Sequence, residues 1–579
     1  MSMRLFANVT LGLVLVAALS GSVLAQAPQS KTEGVATVGA TVGSNDGSQN
    51  RLNEYEVAKD GTLPSFGAQV WGNNQSFTFD LLASHGGDNR DQKYGLNLAS
   101  AGGRFKAALT FDRFLHRLDH DPLDYMDAGV GNFVVRATDH DPGTDYSRAV
   151  GLLTTDVRFA ATKNVEFFVS HKMTLRDGVH QGLTMSHCAN CHVESFARKM
   201  DERTNTLAAG ARLNAGRFTM DYTFENRTLT ENGATPTNTY DNAIHPVTLL
   251  DVFVSRVQYD DANGELPFDL VPKQTKQTST LRAAYALPGD GAVSGNFTHS
   301  ASENKHAGFG SDFTGGHARV TFPLGTKAYV TGFFRKYAID TESVFVDVVE
   351  QTAPAGPAAG LTYAQQYPAM LPLDYYTESA LSRSPTEMAL ELAFRPGKRS
   401  SINVGYEYEE VSRETFHVEK TTTNTFKASA HYRPGKTVNL RARYQQAMTS
   451  DPFANINAAK PAILQTVPTP GGLPFGPQSL QYFEMYNSRM ANLSASPTDS
   501  LFLEGTATWS PSQQFSVSGH YRYRDQQNDE LNDSTWGHAM HMPGVDVWVA
   551  PNPRFTMAAG WGYQKDTLDT VFSTLNFGG

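Results

Sequence analysis

The sequence predicts an all-β protein, specifically a transmembrane antiparallel outer-membrane β-barrel with an even number of about 20–26 strands. Three observations support this fold class. The chain starts with an export signal, its later segments alternate between polar and apolar residues as half-buried strands do, and short turns alternate with long connections.

Residues 1–25 are predicted to be a signal peptide. Arg4 supplies the positive start, Val9–Leu19 the apolar core, and Val23–Ala25 precedes the expected cleavage before Gln26. The apolar run is too short to span a bilayer, which disfavours a membrane anchor. Residues 26–74 begin as a small, polar stretch and are expected to form a flexible periplasmic segment.

Residues 75–579 are predicted to form the barrel, in contact with outer-membrane lipid. The chain has 49 Gly, 34 Phe and 23 Tyr and a mean hydropathy of −0.37. These values suit a barrel, because each strand shows only every second residue to lipid. A net charge of −10 without a basic stripe argues against a nucleic-acid partner, and two cysteines exclude a disulfide scaffold.

Short turns of Pro, Gly and polar residues separate the predicted hairpins. Proline lacks the N–H that a strand ladder needs, and glycine accepts positive φ. The turns are centred on 101–103, 161–163, 214–216, 288–290, 324–326, 395–398, 433–436, 510–512 and 551–553.

The connections at the opposite strand ends are longer, and we expect them to be extracellular loops because outer-membrane barrels keep their short turns in the periplasm. They cover 115–149, 177–203, 229–276, 338–384 and 449–500. Strand-like pieces within them, such as 249–259 and 343–349, would bring the count from about 20 towards 26 strands.

One chemical motif stands out at His187–His192, where Cys188 and Cys191 precede His192 as Cys-x-x-Cys-His. This spacing attaches a c-type haem, with both thiols bonded to the porphyrin and the histidine bound to the iron. Cys188, Cys191 and His192 are therefore the candidate haem c residues. Candidates for the distal iron ligand are His171, His180, Met185 and His187.

Two other chemistries fit the same residues. A Cys-x-x-Cys pair without haem can act as a redox-active dithiol in an exported protein. A metal site formed by His187, Cys188, Cys191 and His192 is the third reading, although four ligands within six residues make an awkward geometry.

Weaker candidates lie elsewhere in the chain. Asp119–Asp121 and Asp139–Asp141 are both Asp-His-Asp clusters that suit a cation, but turn formation by Asp is the favoured interpretation. His538–Gly544 is rich in His and Met, which suit a soft metal or haem, but chance loop composition is favoured. No acid–base pair, nucleophile elbow or phosphate loop is evident, so we expect no enzyme.

The polar leader, the stretch Leu52–Val57 before Gly61 and the long run of hairpins resemble the MtrB/PioB family. That resemblance implies an outer-membrane barrel that sheathes a multihaem c-type cytochrome for electron transfer across the outer membrane. The partner cytochromes would be periplasmic, extracellular or both. Family members often carry a Cys-x-x-Cys pair near the mature N-terminus, whereas here Cys188 and Cys191 lie far inside the chain. The alternatives are a diffusion porin or substrate channel and a single-haem cytochrome–porin fusion.

Overall fold

A computed structural model of the chain is almost entirely β-structure. It describes residues 31–43, 61–86, 91–123, 136–185, 192–240, 264–342, 344–346, 360–361, 375–377, 381–413, 419–452, 496–529, 535–552 and 554–571. These ranges contain 27 strands and one short 3-10 helix, Pro288–Asp290. Within them, no helix has the length and apolar character needed to cross a bilayer.

The chain forms two compact units, and the first comprises residues 1–121, 143–181 and 197–209. Its strands are antiparallel neighbours in chain order, from β1 through β5 and then β7 and β8. Their bounds are β1 Lys31–Gly43, β2 Gly61–Asn73, β3 Phe77–His85, β4 Gln92–Ser100, β5 Phe105–Arg117, β7 Ser147–Ala160 and β8 Val165–Met185, whose last residues belong to the second unit.

The second unit comprises residues 122–142, 182–196 and 210–579. Its main strands are also antiparallel neighbours in chain order. They are β10 Phe218–Glu231, β13 Gln274–Ala286, β14 Ala292–Asn304, β15 Phe309–Leu324, β16 Ala328–Thr341, β19 Ser384–Gly397, β20 Ser400–Ser412, β21 Lys420–Tyr432, β22 Val438–Ser450, β23 Asp499–Ser512, β24 Phe515–Asn528 and β25 Thr535–Asn552.

Four further strands complete the main sheet, which has 23 strands in all. β9 (His192–Ala215) pairs in parallel with the short β6 (Arg136–Asp139). β26 (Phe555–Gly562) and β27 (Lys565–Val571) both pair with β25, at successive positions along it. The predicted even number of strands is therefore not confirmed.

Two small sheets lie in the long connections. β11 (Thr237–Tyr240) pairs with β12 (Gly264–Pro267), and β17 (Val344–Val346) pairs with β18 (Tyr375–Thr377). β17 falls inside the predicted strand-like piece 343–349, whereas the piece 249–259 lies outside the described residues.

The short turns form where Pro and Gly predict them. Gly103 and Gly216 have φ of 67° and 63°, the left-handed region that glycine enters without a steric penalty. They lie within the β4–β5 and β9–β10 connections, so the local turn chemistry sets the boundaries of these hairpins.

The sequence expectations fail at two places. Within 26–74, which we predict to be flexible, the described residues 31–43 and 61–73 instead form the antiparallel pair β1 and β2, since Val and Thr in 35–42 favour extended backbone. The predicted loop 177–203 is mostly strand, because β8 and β9 continue to Met185 and from His192. The predicted signal peptide lies outside the described residues.

Most strands expose large apolar side chains on one face. Leu390, Val404 and Phe426 are 59%, 52% and 46% exposed, and they lie on the same side of neighbouring strands. Exposed apolar surface repeated over so many strands is what a protein with a lipid-facing wall requires.

Candidate functional site

The strands β8 and β9 flank the Cys-x-x-Cys-His motif. β8 ends at Met185 and β9 begins at His192. His187, Cys188 and Cys191 lie outside the described residues, so the assignment of Cys188, Cys191 and His192 to a haem stays a prediction.

The candidate distal ligands are spread along β8. Because β8 is extended from Val165 to Met185, His171 lies roughly 45 Å before its end and His180 about 17 Å before it. His171 is also on the side of β8 that carries Val169 and Met173. Along β8, His180 and Met185 are therefore closer than His171 to the strand end that precedes the motif in sequence.

The first Asp-His-Asp cluster serves local structure in the first unit. The Asp119 carboxylate accepts the backbone N–H of His120 at 2.9 Å. The His120 ring meets the buried Tyr146 ring edge-on at 4.7 Å. The backbone of Asp121 exchanges two hydrogen bonds with the Gln181 amide, at 2.9 and 2.6 Å.

The second cluster is built in the same way in the second unit. Asp139 Oδ1 accepts the hydroxyl of Ser195 at 3.0 Å and the N–H of Asp141 at 3.1 Å. The His140 ring stacks on Phe196 at 4.3 Å, and its Nε2 lies 3.1 Å from Glu194 Oε1. Across the described ranges, no group of three or more His, Cys, Asp or Glu side chains could hold a metal ion.

The Met- and His-rich segment predicted as loop is the middle of β25. Alternation puts His538, Met540 and Met542 on one face and His541 on the other. His538 Nε2 lies 3.2 Å from Asp566 Oδ1, while His541 Nδ1 lies 2.8 Å from the Tyr521 hydroxyl. The two histidines are therefore not brought together.

The side of the second unit opposite the apolar face is polar and charged. Its β19–β20 part is acidic, with two glutamates on each strand that share this face by register. Glu387 and Glu407 form ion pairs with Arg335 and Lys427, which come from the neighbouring strands. We call the four residues the acidic field: Glu387, Glu391, Glu407 and Glu409.

The β22–β24 part of the same face is basic. Glu504 on β23 lies directly between Arg443 on β22 and Arg522 on β24. Arg522 Nε donates to Glu504 Oε1 at 2.9 Å, and Arg443 Nη1 donates to Oε2 at 3.4 Å. Arg441 and Arg524 lie two residues away on the same face. We call the four arginines the arginine stripe: Arg441, Arg443, Arg522 and Arg524.

A cavity of about 240 Å³ lies between the acidic field and the arginine stripe. Glu391 and Glu407 line one side of it, and Lys427 and Arg443 line the other. The first unit has a cavity of about 410 Å³, lined among others by Asp80, Lys106, Asp156 and Arg158. Such charged, open recesses suit water and polar solutes rather than an apolar ligand.

The acidic field and the arginine stripe were missed by the sequence reasoning. The sequence does contain a pattern that predicts which side of the strands is polar. β22 contains RARY and β24 contains YRYR, and every second residue in both is charged. The pairing of Arg443 with Glu504 depends on a strand register that the sequence does not state.

Residues 347–448 match the family model for outer membrane beta-barrel porins of the MtrB/PioB type. This match confirms the resemblance predicted from the sequence. The predicted outer-membrane β-barrel fold and outer-membrane location are likewise confirmed.

Solved structures of outer-membrane proteins are similar at low identity. The siderophore receptor PirA from Acinetobacter baumannii is 9% identical over 92% of this chain and 76% of that chain, with a TM-score of 0.47. The copper transporter OprC is 8% identical over 93% and 80%, with a TM-score of 0.42. The unliganded ferric citrate transporter FecA is 11% identical over 87% and 76%, with a TM-score of 0.38. No curated protein sequence matches the chain significantly.

Proposed function

We propose that this chain, whose residues 347–448 match the MtrB/PioB model of outer-membrane barrel porins, holds a multihaem c-type cytochrome in the outer membrane for electron transfer. The family match carries the proposal, because the resemblance implies a sheath around such a cytochrome. The barrel positions and insulates the haems, and the cytochrome conducts.

The two faces of the second unit support this role. A multihaem protein has a polar, charged surface, which is costly to place in hydrocarbon. The apolar face of Leu390, Val404 and Phe426 suits lipid, and the opposite face offers charges of both signs to a polar body. A barrel of this kind separates the cytochrome from the membrane that it crosses.

The chain also has residues for one haem of its own. Each thiol, on Cys188 and Cys191, would add across a haem vinyl group, forming a carbon–sulfur bond while its hydrogen goes to the other vinyl carbon. His192 would then be the proximal ligand, and the bound haem would supply one-electron redox chemistry. The competing roles are a redox-active dithiol without haem and a metal site that includes His187.

Haem staining and intact mass of the protein from purified outer membranes test the covalent haem. We expect a stained band and a mass raised by one haem, both lost in Cys188→Ser and Cys191→Ser. A protein that is unstained and lacks the mass increment, after expression with haem maturation machinery, contradicts the haem. A thiol titration then distinguishes a dithiol from a metal site.

Co-purification tests the sheath. A separate polypeptide with many covalent haems should co-purify with the affinity-tagged chain from its native membranes. When the barrel is deleted, the membrane should no longer protect that polypeptide. Recovery of the barrel without any haem protein contradicts the proposal. The Cys188→Ser variant is the matched control, because it removes the barrel's own haem and leaves the partner's haems in place.

A diffusion porin or substrate channel is the second candidate, favoured by the two charged recesses of about 240 and 410 Å³ on the polar faces. Purified protein in a planar bilayer should then show discrete conductance steps and a solute preference. A barrel that conducts ions freely without a cytochrome, and purifies without one, supports the channel. No conductance steps would reject it.

A further inference from the structure

The arginine stripe runs diagonally across three strands. Arg443, Glu504 and Arg522 form one row, since each is directly opposite the next in the register. Arg441 and Arg524 lie on either side of this row, so the stripe extends over about 17 Å at the backbone, taking about 6.8 Å per two residues and 4.8 Å between strands.

The positive charge of the stripe is only partly balanced. Glu504 is the one carboxylate on the polar face of the described β22–β24, and both of its oxygens are used by Arg443 and Arg522. Neither Arg441 nor Arg524 has an ion pair within 4 Å of any side chain in the described ranges, although Asp566 on β27 attracts Arg524 from a longer distance. Four arginines and one glutamate leave a formal net charge of +3.

The stripe is accessible and has further polar side chains beside it, one of which, His520, lies 3.5 Å from the Asp546 carboxylate. The side chains of Arg443 and Arg522 are 65% and 49% exposed. Thr506 and His520 lie in the row of Arg441, and Gln445 lies in the row of Arg524. Guanidinium groups donate paired hydrogen bonds to carboxylate and phosphate oxygens, and two of them on alternate residues can converge on one such group.

We propose that the arginine stripe binds multivalent oxyanions, that is, small di- and tricarboxylates or phosphates. A single exposed charge pair is weak in water, but the attraction grows with the charge of the ligand. A stripe of net charge +3 therefore discriminates by valence. The inference goes beyond the proposed function, because it holds whether or not a cytochrome is enclosed.

Calorimetric titration of the purified full mature chain in detergent, without a partner protein and at low ionic strength, tests the inference. The probes are citrate, pyrophosphate and the monovalent acetate. For a guanidinium about 7 Å from the bound charge, Arg441→Gln or Arg524→Gln should weaken citrate binding about twentyfold and acetate binding about threefold. Neither residue forms an ion pair within 4 Å in the described ranges, so these changes break no close ion pair there.

Glu504→Gln should change the affinity for citrate in the opposite direction. It raises the net charge of the stripe, so citrate should bind about twentyfold more tightly. Arg335→Gln is the control, since Arg335 lies on β16, about 19 Å from β22 across three intervening strands, and should weaken citrate binding no more than about threefold.

Binding of citrate alone assigns the stripe to carboxylates, and binding of pyrophosphate alone assigns it to phosphates. The inference is overturned if neither binds. It is also overturned if Arg524→Gln has the same effect on anions of every valence, or if Glu504→Gln weakens binding.

Discussion

An arginine should destabilise the protein when it is placed on the lipid-facing side of β19 and not when it is placed on the polar side of the same strand. Leu390 is near the middle of this strand, is 59% exposed, and lies opposite Tyr406. Leu390→Arg places a guanidinium in the hydrocarbon, which costs about 2–4 kcal/mol at the bilayer midplane of a barrel. That loss lowers the folding equilibrium constant by roughly 30- to 1,000-fold.

The adjacent residue is the matched control. Ala389 lies on the opposite face, directly across from Glu407 and between two other glutamates of the acidic field on its own strand. Ala389→Arg adds the same side chain to the same strand, but within reach of carboxylates and water. We expect a change within about 0.5 kcal/mol, of the size found for exposed ion pairs.

Urea unfolding from lipid vesicles, followed by tryptophan fluorescence, measures both variants. Leu390→Ala gives the cost of losing apolar contact alone, about 1 kcal/mol for a side chain that is already half-exposed to its surroundings. If Ala389→Arg destabilises as much as Leu390→Arg does, the assignment of faces on β19 is wrong, and with it the acidic field.

Three further predictions concern the first unit and the chain topology. Gly178→Ala should destabilise by about 1–3 kcal/mol in the same unfolding assay, since Gly178 has φ of +155° and a Cβ there would lie 2.0 Å from Ser147 O; unchanged stability would refute this. Asp177→Asn should cost about 1 kcal/mol at low salt and less at high salt, as Arg113 Nη2 bonds its two oxygens at 2.6 and 2.7 Å. A tag inserted at Gly435, in a short turn, should stay unlabelled on intact cells, whereas a tag in the connection between β22 and β23 should be labelled.

The short turns could be predicted because their chemistry is local. The turn around Arg433–Lys436 contains Pro and Gly, and it connects β21 and β22 as expected. The face of each residue within a strand could also be predicted, because alternation has a period of two wherever one side meets lipid.

The continuation of β8 and β9 through 177–203 could not be predicted in this way. Beyond the lipid-facing region neither side of a strand needs to be apolar, so the alternation disappears while the ladder can continue. Contacts such as the 3.3 Å ion pair between Arg176 and Glu202 join residues of the two strands that only the fold brings together. The N-terminal hairpin was missed for a related reason, since small residues of β1 such as Gly39 and Ala40 give little contrast between its faces.

The arginine stripe shows where sequence reasoning reaches its limit. Alternation within β22 and β23 is enough to put Arg443 and Glu504 on the polar side of their own strands. Their pairing, however, depends on how the two strands align, and a connection that runs from Ser450 to Asp499 sets no register through turn geometry. A slip of one residue would turn Glu504 into the lipid, which its charge forbids. A slip of two would keep it on the polar face but separate it from Arg443 and Arg522. The charge pattern therefore excludes half of the registers, and the contacts of the whole ladder select among the remainder.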